Sequence, residues 1–328
     1  LHPRVRRQRQ MCIRDRNKII FGIDVGGTTC KCGTFSKEGE LLRKEEIPTR
    51  KDEGGSLILP DISEYIKGVL ADMNMTTEDV AGIGMGLPGA CLEDGTVNKC
   101  INLGWGVFNA AKALSELTGI PVKIGNDANM AALGEFWVGG GSEYNSMVMV
   151  TIGTGVGGGV IIDGKPLYGF NGAAGEIGHL PLVEGETESC NCGKKGCLEQ
   201  VASATGIVRT ANRMLAESDM PSSLRSVPYI SAKVIFDEAK GGDALAIQVT
   251  EYVCRYLGKG LACAAGMVDP EVFVIGGGVS AAGEYFINLI DKYYKECVFH
   301  ASRQTKIVKA ALGNDAGMYG AAKLILGN

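Results

Sequence analysis

Lys18–Ile47 reads KIIFGIDVGGTTCKCGTFSKEGELLRKEEI, and this stretch decides the fold. An apolar run ending in Asp24 meets the pair Gly26-Gly27. A second β-rich run follows, then the turn Lys37-Glu38-Gly39-Glu40, then a third run, which together predict an antiparallel meander. The same plan returns at 146–169, SMVMVTIGTGVGGGVIIDGKPLYG: strand, glycine turn, strand, Asp163-Gly164 turn, strand. Two meanders of one design, each leading into helices and further strands, imply an internal duplication. Between them the spacing predicts an amphipathic helix over 60–74, a buried strand in VAGIGMGLPGA (Val80–Ala90) and a helix in FNAAKALSELTG (Phe108–Gly119). PVKIGNDANMAALGEFW (121–137) then reads as strand, two polar residues, helix.

Composition sets the class. The chain has 328 residues, 45% hydrophobic and 21% charged, with no apolar run long enough for a membrane helix. Its 48 glycines are about twice the typical share, which points to tight turns and backbone-lined loops. Eleven cysteines without a framework pattern imply a reducing compartment, and the expected location is cytoplasmic. The first sixteen residues hold six Arg against one Asp, leaving 27 basic against 36 acidic residues elsewhere, a net −9. An acidic body disfavours nucleic acid as a partner, and residues 1–17 read as a disordered or non-native basic tail.

The glycine turns carry the first chemistry. GTGVGG (Gly153–Gly158) matches G-x-G-x-x-G, but a strand rather than a helix follows it, so the dinucleotide fingerprint fails on context. There is no G-x-x-x-x-G-K-[ST] loop. What remains is two hairpin turns, Asp24–Lys31 and Gly153–Gly158, whose backbone N–H groups and threonine hydroxyls suit phosphate oxygens. A third cluster, Gly276-Gly277-Gly278, lies between a strand and a helix and suits a nucleotide base or α-phosphate. One such cluster is an ordinary tight turn; three at strand ends point to a nucleotide site.

Gly175–Gln200, GEIGHLPLVEGETESCNCGKKGCLEQ, holds the last motif. His179, Cys190, Cys192 and Cys197 follow H-x10-C-x-C-x4-C, the four soft-to-borderline ligands of a tetrahedral zinc site. Three thiolates and an imidazole leave no open coordination position, so the expected Zn²⁺ is structural.

In their fixed order, GIDVGGTTCKCG, GLPGA, GNDANMAALGE, GTGVGGG, GAAGEIGH and CNCGKKGCLE resemble the ROK family of sugar kinases, most closely its bacterial glucokinases. The resemblance runs from Lys18 to about Leu326. It implies an α/β protein of the actin-like ATPase (ribonuclease H-like) fold, with two lobes and a cleft between them. The lobes are expected at 18–126 and at 127–312, the latter with the zinc loop, and 313–328 as a helix returning to the first lobe. It further implies ATP-dependent phosphorylation of the 6-hydroxyl of glucose, with Mg²⁺. Asp127 is the implied general base, and Asn126, Glu176, His179 and Glu199 are the implied contacts to sugar hydroxyls. Gly89 adds a backbone contact and Asn102 a weaker one. Asp24, Gly26, Gly27, Thr28, Thr29, Lys31, Thr154, Gly155, Gly277 and Gly278 are the expected nucleotide, phosphate and magnesium residues. A homodimer or higher oligomer is expected.

The residues support part of this directly. Asp127 stands where a buried strand hands over to a helix, whose N-terminus favours the ionised carboxylate a proton acceptor needs. Spacing alone fits a helix cap as well. Asp24 beside Gly26-Gly27 fits a turn former or a ligand of hard Mg²⁺. Glu176 and Glu199 bracket the metal segment; solvated loop positions are their plainer reading, yet carboxylates accepting two hydrogen bonds each suit a ring of hydroxyls. Zinc is expected to position His179 and Glu199, so that losing it loosens sugar binding and leaves nucleotide binding comparatively intact. Rival readings are an N-acetylmannosamine kinase or fructokinase, a polyphosphate-dependent kinase, and a sugar-sensing regulator of the same family. The regulator needs a helix-turn-helix ahead of the first strand, and the seventeen residues before Lys18 show no helix pair.

Overall fold

The structure, a computed structural model, describes residues 18–327. The basic tail at 1–17 lies outside the described residues. The chain divides into two compact units: residues up to Val138 with Tyr168–Ala173 and the segment from Asn314, and Gly139–Leu167 with Ala174–Gly313.

In chain order the first unit contains β1 (Ile19–Val25), β2 (Thr29–Ser36), β3 (Leu41–Pro48), α1 (Ile58–Asp72) and β4 (Val80–Leu87). A small antiparallel sheet follows, of β5 (Ala90–Cys91), β6 (Thr96–Cys100) and β7 (Trp105–Asn109), then α2 (Ala110–Thr118), β8 (Val122–Asn126) and α3 (Asp127–Val138). The second unit contains β9 (Met147–Ile152), β10 (Val156–Ile162), β11 (Lys165–Pro166), α4 (Ala204–Glu217), α5 (Ala232–Lys240) and α6 (Ala244–Val268). It closes with β12 (Val272–Gly276), α7 (Glu284–Cys297) and β13 (Lys306–Lys309), and α8 (Ala316–Leu326) returns to the first unit.

The two large sheets run β3-β2-β1-β4-β8 and β11-β10-β9-β12-β13. In each, an antiparallel meander is extended by two parallel strands, so the repeat seen in the sequence is a repeat of topology. β1 is buried almost throughout, as a strand covered on both faces must be. In α1 the residues Ile58, Leu59, Ile62, Ile66, Val69 and Leu70 are buried at helical spacing and pack on Phe21, Ile23 and Ile83. The second core gathers Val148, Val150 and Ile152 with Phe236, Phe273, Phe286 and Tyr294.

The C-terminal helix fixes how close the layers come. A Cβ at Gly84 of β4 would stand 1.8 Å from the carbonyl oxygen of Ala321, so α8 rides directly on the sheet backbone. α3 packs against the same helix: a Cβ at Gly320 would stand 1.7 Å from the carbonyl of Met130. This crossing places α3 in the first unit, so the division falls after Val138 and not after Asn126 as the sequence suggested. Trp105 is buried against Phe108, and its indole N–H donates to the Gly55 carbonyl at 3.0 Å, which makes it a packing residue. Gly119 closes α2 in the left-handed conformation at φ 74°, as the Leu-Thr-Gly ending predicted.

Candidate active site

In the first unit the site is built on the ends of β1, β4 and β8. Asp24 of β1 pairs with Lys31 of β2 and with Gly86 of β4. Burial pushes the Asp24 carboxyl up to about 6, the charges of Asp127 and then Asp315 adding to it and that of Lys31 opposing. The structure therefore brings Asp24, Lys31 and Asp127 together. Lys31 Nζ donates to the Asn314 carbonyl at 2.7 Å, which fixes its ammonium beside the same carboxylates.

The turn after β1 is braced from behind and open in front. Gly26 N–H donates to the Thr29 carbonyl at 3.0 Å, Thr49 N–H to the Thr28 carbonyl at 2.9 Å, and the Thr49 hydroxyl to the Gly26 carbonyl at 2.8 Å. A Cβ at Gly27 would meet nothing within 4 Å, and Gly27 and Thr28 are exposed. Packing does not require glycine at position 27, and the backbone there is open to solvent.

At the β8–α3 junction both polar side chains meet the first amides of the helix, Asp127 Oδ1 accepting from Ala128 N–H at 2.8 Å. Asn126 Oδ1 accepts from the amides of Ala128 at 3.0 Å and Asn129 at 3.3 Å, the contacts of a helix cap. Its Nδ2 donates to the Gly89 carbonyl at 3.1 Å, tying the GLPGA loop to the same corner. Asp127, the first residue of α3, is exposed. Asn102 is exposed in a 3-10 turn at Ile101–Leu103.

In the second unit the turn after β9 carries Thr154 and Gly155. Gly276 of β12 pairs with Thr151, and a Cβ at Gly277 would stand 2.4 Å from the Ile152 carbonyl, so the third glycine cluster lies beside this turn. Gly277 also has φ 79°, while Gly278 opens into free space. A 3-10 turn, Gly278–Ala282, intervenes before α7, where the sequence suggested that the helix starts directly.

The His/Cys motif is assembled. The four ligand atoms of His179, Cys190, Cys192 and Cys197 lie within 4.8 Å of one another, with Nδ1 of His179 3.8 Å from Cys190 Sγ and Cys192 Sγ 3.5 Å from Cys197 Sγ. Tetrahedral zinc with Zn–S bonds of about 2.3 Å separates its ligand atoms by roughly 3.5–4 Å, so the cluster fits that ion. Burial pushes the Cys197 thiol up to about 12, whereas the Lys194 amide draws that of Cys192 below its ordinary value. The other ring nitrogen, Nε2 of His179, faces Glu176 Oε2 at 3.8 Å. Glu199 Oε1 lies 3.7 Å from Cys190 Sγ, so both glutamates border the cluster.

Two groups of residues escaped the sequence reading. Asp315, whose charge acts on Asp24, sits in Gly313-Asn314-Asp315-Ala316-Gly317-Met318, which repeats Gly125-Asn126-Asp127-Ala128-Asn129-Met130; that self-match was the available signal. Ala204 and Thr205 hold the β9–β10 turn through Gly153 and Thr154, and nothing in their types announces it.

A repeated β-meander extended by parallel strands, with glycine turns at equivalent strand ends, is the actin-like ATPase fold. The chain belongs to the ROK family, whose profile matches residues 20–328. It is 40% identical to a glucokinase of Halalkalibacterium halodurans, over 94% of this chain and 95% of that protein. Among solved structures it is similar to a ROK hexokinase from Thermus thermophilus (TM-score 0.78, 32% identity, 93% of this chain and 96% of that one). It is also similar to a ROK family glucokinase from Streptomyces griseus in complex with glucose and AMPPNP (TM-score 0.71, 32% identity, 93% and 98%). Among the described residues no helix is long and apolar enough to cross a membrane.

Proposed function

We propose that this protein is a glucokinase, transferring the γ-phosphoryl group of ATP to the 6-hydroxyl of glucose in the cytoplasm. The observation that carries the reading is the exposed carboxylate at the head of α3. Asn126 and Asp127 both accept from the Ala128 amide, and the Asp127 carboxylate stands exposed at the positive end of the helix, beside the Asp24–Lys31 turn. Its carboxylate accepts the O6 proton as the sugar oxygen attacks the γ-phosphorus and the bond to the bridging oxygen of ADP breaks. Gly27 and Thr28 would offer backbone and hydroxyl donors to phosphate oxygens, as would Thr154 and Gly155; Lys31 would neutralise phosphate charge. Asp24 would hold Mg²⁺ through a carboxylate that burial and neighbouring acids already disfavour as a bare anion, and the ion would supply charge neutralisation on the phosphates. Gly277 and Gly278 would border the nucleoside.

Glucose would be read by Asn126, Glu176, His179 and Glu199, with Gly89 adding its backbone and Asn102 standing further out. His179, Cys190, Cys192 and Cys197 would hold a structural Zn²⁺, which ties the loop and leaves Nε2 of His179 on the Glu176 side.

The test is an assay of the purified chain with ATP or polyphosphate as donor and glucose, N-acetylmannosamine, mannose or fructose as acceptor. Glucose with ATP should give the highest kcat/KM. A higher value for another sugar would replace glucose, and sugar binding without turnover under any donor would remove the kinase assignment.

A further inference from the structure

The β9–β10 turn is held by one short stretch, Glu199–Thr205, which begins two residues after the last cysteine of the cluster. Three contacts do this. Glu199 Oε2 accepts from Val156 N–H at 2.9 Å. The Ala204 amide donates to the Gly153 carbonyl at 2.8 Å. The Thr205 hydroxyl donates to the Thr154 carbonyl at 3.1 Å and lies 3.0 Å from Ser203 Oγ. Residues 153, 154 and 156 are thus each fixed by a different residue of the same segment.

Gly155 completes the fit. A Cβ there would stand 2.4 Å from Glu199 Oε2, so any side chain at this position must displace that carboxylate. The other oxygen of Glu199 lies 3.7 Å from Cys190 Sγ, so a single side chain touches the Cys/His cluster on one side and the turn on the other. Thr154, Cys190, Glu199, Ser203 and Thr205 line one open pocket of about 250 Å³, which makes these contacts one continuous surface of the second unit.

We propose that Glu199–Thr205 is the template of the donor-phosphate turn, with Glu199 and Thr205 as positioning residues, and that the Cys/His cluster therefore governs phosphoryl-donor binding as well as hexose binding. The proposal rests on the reading of Thr154 and Gly155 as phosphate contacts. It reverses the expectation that nucleotide binding is insulated from the metal loop. Glu199 is also a proposed sugar contact, so a change on the donor turn that displaces it must be felt by the sugar.

Calorimetric titration with Mg²⁺–AMPPNP and, separately, with glucose decides it, on the wild-type chain and on Thr205→Val, Thr205→Ser, Gly155→Ala and Cys190→Ser. Thr205→Val removes one hydrogen-bond donor at constant shape and should weaken AMPPNP about fivefold, with glucose within about twofold of wild type. Thr205→Ser should restore AMPPNP affinity. Gly155→Ala should weaken glucose about tenfold with no nucleotide present, and Cys190→Ser should weaken both ligands. Unchanged AMPPNP affinity in folded Thr205→Val overturns the template, and unchanged glucose affinity in Gly155→Ala overturns the role of Glu199. A folded Cys190→Ser with normal AMPPNP affinity removes the cluster from the scheme. These are binding measurements, so they separate the two proposals: wild type that binds AMPPNP without phosphorylating any hexose ends the glucokinase reading only, and wild type that binds no AMPPNP ends this one.

Discussion

Gly-Asn-Asp-Ala-x-Met occurs at 125–130 and again at 313–318, each time between the last parallel strand of a five-stranded sheet and a helix of the first unit. In the first copy Asn126 ends β8 and caps α3 with its side chain, and Asp127 stands exposed. In the second the same residues form a 3-10 turn, Gly313–Asp315, opened by Gly313 at φ 56°. There the Asn314 carbonyl accepts from Lys31, and the Asp315 carboxylate pairs with Lys44 at 2.6 Å. The repeat thus supplies two equivalent aspartates, and their neighbours separate them. Both stand at the head of a helix, but Asp315 is paired with the Lys44 ammonium, whereas Asp127 is exposed with its Oδ1 on the Ala128 amide, a setting that keeps a proton acceptor ionised. Both charges fall on Asp24, so the buried carboxylate of β1 registers the pair.

The helices that follow the two copies cross at glycine, and the largest structural effect is expected there. Gly320→Ala would force a Cβ to within 1.7 Å of the Met130 carbonyl, at a point where backbone meets backbone and no side chain can yield. A loss of about 3 kcal/mol or more is expected in urea unfolding. A loss below about 1 kcal/mol would mean that α3 and α8 are not locked together.

Next in size is Asp24. Its folded value of about 6 lies above the ordinary 3.8. The folded state therefore binds the proton more tightly, and the stability this gives is present at low pH and lost as pH rises from about 4 through about 6. Asp24→Asn should make the metal-free protein on the order of 2–3 kcal/mol more stable than wild type at pH 8. That gap should close towards pH 4 in pH-resolved denaturation curves, while activity falls. Parallel curves for the two proteins across this range would show that neither burial nor the charges of Asp127 and Asp315 raise Asp24.

The smallest effect concerns Lys44. Its ammonium and the Asp315 carboxylate are 40% and 28% exposed, so Lys44→Ala should cost no more than about 1 kcal/mol, and less in high salt. A change of several kcal/mol would assign the second copy a structural role beyond an ion pair.

Much of this was legible. The two meanders stand out because buried strands write apolar runs and their turns write glycine. The four positions of the Cys/His cluster stand out because the motif is local. The β5–β7 sheet was invisible, since β5 is two residues long and carries no period. Gly155 could be read as a phosphate contact, yet the atom that a side chain there would displace belongs to Glu199, 44 positions on. The placing of α3 in the first unit was hidden for the same reason: the partner that holds it, α8, is the last helix of the chain. Local patterns disclosed elements and ligands, and the long-range contacts that give those residues their roles left no local trace.

The contrast between the two aspartates is tested most directly by the kcat of Asp127→Asn and Asp315→Asn, measured side by side at saturating glucose and ATP. Each change keeps shape and removes one carboxylate. Asp127→Asn should lower kcat by on the order of 10²–10⁴ with glucose affinity largely kept, and Asp315→Asn should stay within about tenfold of wild type. Near-normal turnover in Asp127→Asn, or an equal loss in both variants, would contradict the account.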